Sequence, residues 1–421
     1  MQIKKSVIII SFLIIWCSFT NILAQNSNKP FSLQWYVETG VTNNPTLKDY
    51  KNQIQSLSYD SLLVHNSIKP DISANALMLA APVIHEYGYD EAITNGNTLS
   101  ALVSFSQNLL VKKQNNNSYQ GIHYEKQSVQ NSSKITVTDL KHDITAQYIA
   151  AWSANADVMF AQNMLDLLKE QKNVLKQLIE SGIYSQSDYM LLEIETSAQQ
   201  LSIKQNKLSY LEALFQLNQL CGIADTSSKV LSEPDMSSYQ TYESSFHPTF
   251  LQFHIDSLKI LNQSESIKLK YRPQLRWIAD AGLNNTMPST IYKNLGFSAG
   301  LSFSIPLNFK KEKSLLLTQL NFQEDTRSNY FKFYKTQYNQ KLSMLNNDIV
   351  QTAQLITMTE CQLTLYNKLI ANDKVLMDKG TVSVIDFITV LKSYISTQDN
   401  LTQLKGKQMQ LINELNYWNS R

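Results

Sequence analysis

Two short segments place residues that act together at identical spacing. Gly182, Ser185 and Asp188 form one Gly-x-x-Ser-x-x-Asp pattern, and Gly380, Ser383 and Asp386 form another. A serine oxygen just before a helix accepts from the free amides of its first turn. An aspartate three residues later completes a capping box near the positive end of the helix dipole. These segments are therefore expected to end one helix and start the next. Residues suited to catalysis are scattered by comparison. His65, His85, His123, His142, His247 and His254 include no pair at clean helical spacing for a metal. No Gly-rich phosphate loop, nucleophile elbow or Cys/His metal pattern is present. The expectation is no enzymatic activity, no cofactor and no metal site. A formal charge of +2 gives no reason to invoke nucleic acid.

The chain opens with Lys4 and Lys5, an apolar run from Val7 to Phe19, and Ala24 before Gln25. That is the layout of a secretory signal peptide, with residues 1–24 removed. Ile22 is bulkier than usual for a cleavage site, and Trp16 before Cys17 argues against lipoprotein processing. No later run approaches the ~20 apolar residues of a membrane-spanning helix. Cys221 and Cys361 remain after cleavage, so this is not a disulfide scaffold. Their distances from the two turns put them roughly 30 Å apart along straight helices, which predicts no bond between them.

The turns must be held by very long helices. Glycine and proline interrupt helices, yet no Gly lies between Gly121 and Gly182 or between Gly300 and Gly380, and no Pro follows Pro306. Tyr338, Leu342, Leu345, Ile349, Ala353 and Ile356 recur at helical spacing, as do Leu201, Leu208, Leu211 and Phe215. A helix from Lys112 to Glu180 would be on the order of 100 Å long, which implies coiled-coil-like packing. Other stretches alternate with period two. Phe297, Ala299, Leu301, Phe303 and Ile305 alternate with Ser298, Gly300, Ser302 and Ser304. Leu275, Trp277, Ala279, Ala281 and Leu283 form one face of another strand, and Arg276 and Asp280 belong to the opposite face. Residues 71–78 and 99–106 are similar but rougher. Two β-hairpins of membrane-crossing length are predicted.

The two halves repeat. Pro45 and Pro248 are 203 residues apart, as are Pro70 and Pro273. Ser106 and Ser304 are 198 apart, as are Gly182 and Gly380. The domain reading is repeat 1 over 25–221, with a β-hairpin at 71–108 and a helical hairpin at 112–221. A linker at 222–246 follows. Repeat 2 covers 247–421, with a β-hairpin at 273–307 and a helical hairpin at 310–419. Four strands are too few to close a membrane barrel, which needs about eight. An open edge in lipid would leave backbone groups unsatisfied. The fold class is thus an internally duplicated α+β membrane protein that oligomerises, with eight strands as a dimer or twelve as a trimer. The apolar faces would meet lipid, and the face holding Arg276 and Asp280 would line water.

Along its whole mature length the sequence resembles the outer-membrane efflux protein (TolC-type) family. The resemblance is carried by Asn44-Pro45, by Pro70 and Pro273, by Ser106-Gln107-Asn108-Leu109, by Ser304-Ile305-Pro306-Leu307 and by the two Gly-x-x-Ser-x-x-Asp turns. It implies a homotrimer with a twelve-stranded barrel in the outer membrane of a Gram-negative bacterium and a twelve-helix periplasmic tunnel. It also implies docking to a periplasmic adaptor coupled to an inner-membrane RND or ABC pump, so that the channel passively conducts efflux or type I secretion cargo. Gly182, Ser185, Asp188, Gly380 and Ser383 would then form the periplasmic turns and the adaptor surface. Asp386 matches a position that projects a carboxylate ring into the closed entrance. The chain departs from the pattern at Thr389, where a second ring would sit. It departs again at Val382 and Met377, where a locking Arg and Tyr are expected. Lys379 and Lys392 are candidate replacements. The competing reading is a periplasmic coiled-coil adaptor or structural protein, which would normally carry one helical hairpin rather than two. The cargo is not encoded in the residues discussed.

Overall fold

The structure is a computed structural model that describes residues 31–90, 96–225, 227, 229–236, 247–307 and 309–420. The expected signal peptide and part of the expected linker lie outside the described residues. Seven α-helices and four strands are present among the described residues. They are α1 (Leu33–Asn43), α2 (Pro45–Asn66), β1 (Asp71–Ala80), β2 (Asn97–Asn108), α3 (Lys112–Glu180) and α4 (Gln186–Leu220). After these come α5 (Pro248–Lys270), β3 (Gln274–Asn285), β4 (Leu295–Ser304), α6 (Lys310–Asp378) and α7 (Val384–Ser420). A six-residue 3₁₀-helix, Pro288–Lys293, joins β3 to β4. The strand alternation and the proline-free stretches lie where these strands and helices form.

Local chemistry sets the element ends. Asn44 Oδ1 accepts from Leu47 N at 3.2 Å, and Pro45 begins α2, where its missing N–H costs nothing. Pro248 begins α5 in the same way. The helices α3 and α6 are each 69 residues long.

Two compact units are present. Among the described residues, one lies within 31–40, 144–236 and 355–407, and the other within 41–143, 247–354 and 408–420. Each unit draws on both halves of the sequence.

The second unit holds a four-stranded antiparallel sheet in the order β1-β2-β3-β4. Its register decides what each face presents, because side chains alternate along a strand. Ile72 pairs with Phe105, Phe105 with Ala279, and Ala279 with Ala299. Two residues along, Ala74, Val103, Ala281 and Phe297 form the next row. One face is therefore apolar across all four strands, although Gln107 beside Trp277 interrupts it. It is also uncovered in the chain, with Phe297 89% and Met78 79% exposed. The opposite face carries Ser73, Asn75, Ser104, Ser106, Arg276, Asp280, Ser298 and Ser302, although Leu77, Leu102 and Ile278 interrupt it. At Gly282 (φ 151°) the two strand backbones approach so closely that a Cβ would strike the Ala101 carbonyl oxygen. β1 and β4 are the edges, and each has one row of backbone groups unpaired within the sheet.

The first unit is helical. Gln199 Nε2 donates to the Ala161 carbonyl at 2.9 Å, which ties α4 to α3. Gly406 of α7 lies against Ser153 of α3, and Leu401 of α7 packs with Ile356 and Leu363 of α6. Helices α4 and α6 flank this layer, and both keep an apolar stripe in the open. On α4 it runs through Ile194, Leu201, Leu208 and Phe215. On α6 it runs through Leu355, Met358, Leu365 and Leu369.

Candidate functional site

Both helical hairpins turn within the first unit, and the two turns are built alike. Gly182 N donates to Ile179 O at 2.9 Å and Ile183 N to Leu178 O at 3.0 Å. Gly380 N donates to Met377 O at 2.9 Å and Thr381 N to Leu376 O at 3.0 Å. Each glycine has a left-handed φ, 75° at Gly182 and 72° at Gly380. This is the Schellman closure, in which glycine avoids the Cβ penalty that other residues meet.

The next helices start as the serines and aspartates suggest. Ser185 Oγ accepts from Asp188 N at 3.3 Å, and Ser185 N donates back to Asp188 Oδ2 at 2.9 Å. In the second turn Asp386 N donates to Ser383 Oγ at 3.2 Å, while the Ser383 hydroxyl donates to Asp386 Oδ2 at 2.6 Å. Asp386, like Asp188, thus serves a helix start, and its carboxylate remains exposed. Thr389, one turn further, donates its hydroxyl to Ile385 O at 2.8 Å.

A shared apolar core holds the tips together. Leu168, Leu175, Leu192, Ile370, Met377, Val384, Phe387, Ile388 and Leu391 are buried in one cluster drawn from α3, α4, α6 and α7. Met377 is a core residue rather than a surface lock. A Cβ on Gly380 would come within 2.5 Å of Ile183 Cγ2, so the second turn rests directly on the first. Tyr184 crosses between them. Its hydroxyl lies 2.6 Å from Val382 O and 3.1 Å from Met377 O, and its single hydrogen is donated to one carbonyl at a time. Burial, with Asp188 and Asp378 nearby, raises the pKa of this phenol and keeps it a donor. Lys392 pairs with Glu195 at 2.9 Å, Lys374 with Glu170 at 3.6 Å, and Lys172 with Glu193.

Sequence reasoning did not single out Tyr184. It occupies in the first repeat the place that Val382 occupies in the second, and that offset was the available signal. The bond runs from the tyrosine to the backbone of its own counterpart. Of the two lysines considered as lock replacements, Lys392 is engaged with Glu195 and Lys379 is exposed.

In the second unit Arg276 and Asp280 lie on the same, polar face of β3. Arg276 Nε donates to Asn108 Oδ1 at 3.0 Å, and Asp280 Oδ2 accepts from Ser298 Oγ at 3.4 Å. Among the described residues no group of three or more His, Cys, Asp or Glu is arranged to hold a metal. Both described cysteines are free thiols, Cys221 buried and Cys361 exposed. Among the described residues no helix is long and apolar enough to cross a membrane.

No protein-family model and no curated protein sequence matches the chain. Solved structures do. The chain is similar to CusC, studied for the conformational changes that accompany folding and transmembrane channel formation, with TM-score 0.76, 10% identity and 92% of each chain covered. It is similar to the outer membrane protein VceC of Vibrio cholerae at TM-score 0.72 and 12% identity, covering 92% of this chain and 95% of that one. It also matches the open state of the Neisseria gonorrhoeae MtrE outer membrane channel at TM-score 0.73 and 10% identity, covering 92% of this chain and 88% of that one. The fold is the one these outer-membrane channels share, as the TolC-type resemblance implied.

Proposed function

We propose that this chain is one of three identical subunits of an outer-membrane channel-tunnel in a Gram-negative bacterium. It serves as the passive exit duct of a tripartite efflux or type I secretion system. The observation that carries this reading is the sheet, whose apolar face spans four strands and whose two edges are open. A membrane tolerates such a sheet only in a closed barrel. In antiparallel order β4 of one copy would pair with β1 of the next, and three copies give twelve strands. The apolar stripes on α4 and α6 support the same association, because those helices flank the chain's own helical layer. The two repeats then supply a pair of equivalent β-hairpins and helical hairpins per subunit. The polar strand face, with Arg276 and Asp280, lines the water-filled lumen.

In this reading the joined hairpin tips form the periplasmic entrance. Asp386 contributes a single ring of carboxylates, and Thr389 adds no second ring. Tyr184 braces the two hairpins where an Arg/Tyr lock is absent. The turns around Gly182, Ser185, Asp188, Gly380 and Ser383 form the surface for a periplasmic adaptor that connects an RND or ABC pump. The test is mass: in mild detergent, light scattering should give a trimer that forms conducting pores in planar bilayers. A monomer with its helix content retained would overturn the barrel.

A further inference from the structure

β2 and β3 are the inner pair of the sheet, and their links to α3 and α5 run side by side. Between these links lies a cavity of about 540 Å³, whose walls include Leu109, Leu110, Lys112, Lys113, Arg272 and Leu275. Its charge is one-sided. Residues 108–114 and 268–275 contain five basic side chains (Lys112, Lys113, Lys268, Lys270 and Arg272) and no acidic one. The neighbouring acids are already shared. Glu265 lies 3.6 Å from Lys268 and 3.7 Å from Arg272, and Glu312 lies 3.9 Å from Lys270. Lys112 and Lys113 stand in no ion pair among the described residues. They also open α3, whose first turn has no acidic residue. Cations there add to the positive end of the helix dipole, a placement that favours an anion from outside the chain.

The upper wall has the opposite character. Leu109 N donates to Leu275 O at 2.9 Å, so both residues extend the apolar face of the sheet to its helix-bearing end. Phe303 continues this row opposite Leu275, and one row above Trp277 packs edge-on against Phe105 with ring centroids 4.8 Å apart. Aromatic side chains at the end of an apolar strand face mark the level where lipid tails meet headgroups.

We infer that this cavity binds an anionic phospholipid of the helix-side leaflet, with its phosphate among Lys112, Lys113 and Arg272 and its chains along Leu109, Leu275 and Trp277. The inference rests on the barrel reading, in which neighbouring copies meet at β1 and β4 and leave the β2–β3 links uncovered. A soluble phosphate would use the cations but not the apolar wall. The lipid uses both.

The experiment takes detergent-purified, delipidated full-length protein. Native mass spectrometry compares phosphatidylglycerol with phosphatidylcholine of identical chains, and glycerol 3-phosphate is added as soluble competitor. Each basic side chain near an anionic lipid is worth about fivefold. With neighbouring acids offsetting part of this, phosphatidylglycerol should be retained about tenfold better by the native protein. The triple variant Lys112→Gln, Lys113→Gln, Arg272→Gln should lower that preference to about twofold. The charge-conserving set Lys112→Arg, Lys113→Arg, Arg272→Lys should keep it. Equal retention of the two lipids by the native protein would overturn the site, as would a preference that survives the glutamine set. Displacement by equimolar glycerol 3-phosphate would show a soluble-phosphate site and overturn it too. Trimer mass and conductance are read on the same preparation. A conducting trimer without lipid preference sinks the lipid site alone, whereas a non-conducting monomer sinks the channel reading and this site with it.

Discussion

Asp386 carries two demands at once. Its amide and carboxylate both bond Ser383, so it helps to start α7, yet the carboxylate is exposed at the proposed entrance. Asp386→Asn separates these roles, because an amide keeps the shape and much of the hydrogen bonding but removes the charge. We expect Asp386→Asn to reduce cation preference and block by multivalent cations in planar bilayers, while the matched Asp188→Asn changes both less. Unaltered selectivity would leave Asp386 as a cap, with a role worth about 1 kcal/mol. Asp157 on α3 makes a second residue-scale case. Burial, reinforced by Asp399 and opposed by a hydrogen bond from Thr402, raises its pKa from 3.8 to about 6. The folded protein therefore binds this proton more tightly than the unfolded chain. Below pH 3.8 the site costs nothing, and the cost grows as pH rises to about 6. For a fully buried group that difference would correspond to about 3 kcal/mol, which partial exposure lowers to about 1–2 kcal/mol. Asp157→Asn should accordingly stabilise the protein in urea unfolding at pH 7.5 and leave it nearly unchanged at pH 3.5. The repeat offset marks Tyr184 as the counterpart of Val382, but neither its bond to that residue nor the Asp157–Asp399 pair was readable from the sequence. Both depend on which residues of different helices face each other, and periodicity along one helix does not determine that. The turn residues were readable, because a Schellman glycine and a capping serine act within a few residues of themselves.

At the scale of the element, alternation was a sufficient guide to the strands, since one residue of slip would exchange their faces. It was weakest in β1 and β2. Leu77 and Leu102 break the polar row there, and only the register with β3 and β4 shows which face is consistently apolar. The proposed lipid contact makes a sharp prediction for two adjacent residues. Ala299 lies on the apolar face and Ser298 on the polar one, opposite Asp280. Ala299→Arg should destabilise the membrane-inserted protein by about 2–4 kcal/mol, as a cation facing lipid does near the midplane. Ser298→Arg should cost under about 1 kcal/mol, because its side chain reaches water and lies near Asp280. Equilibrium unfolding from vesicles would compare them, and equal costs would mean that the faces are assigned the wrong way round.

At the scale of the molecule, the sequence conveyed the order of elements through its repeat but not the association of the hairpin tips. That association depends on Met377 being core, on Tyr184 reaching Val382 O, and on Gly380 admitting Ile183. It lies wholly in the first unit, and it makes the two tips one body, because Met377 and Val384 share a core with Leu175 and Leu192. Such a latch has no loose part. Gly380 has no side chain that could give way to Ile183, and Tyr184 holds backbone carbonyls rather than a side chain that could swing aside. Whatever parts the two hairpins at their ends must therefore unmake both turns together, so the tips yield as a pair or not at all.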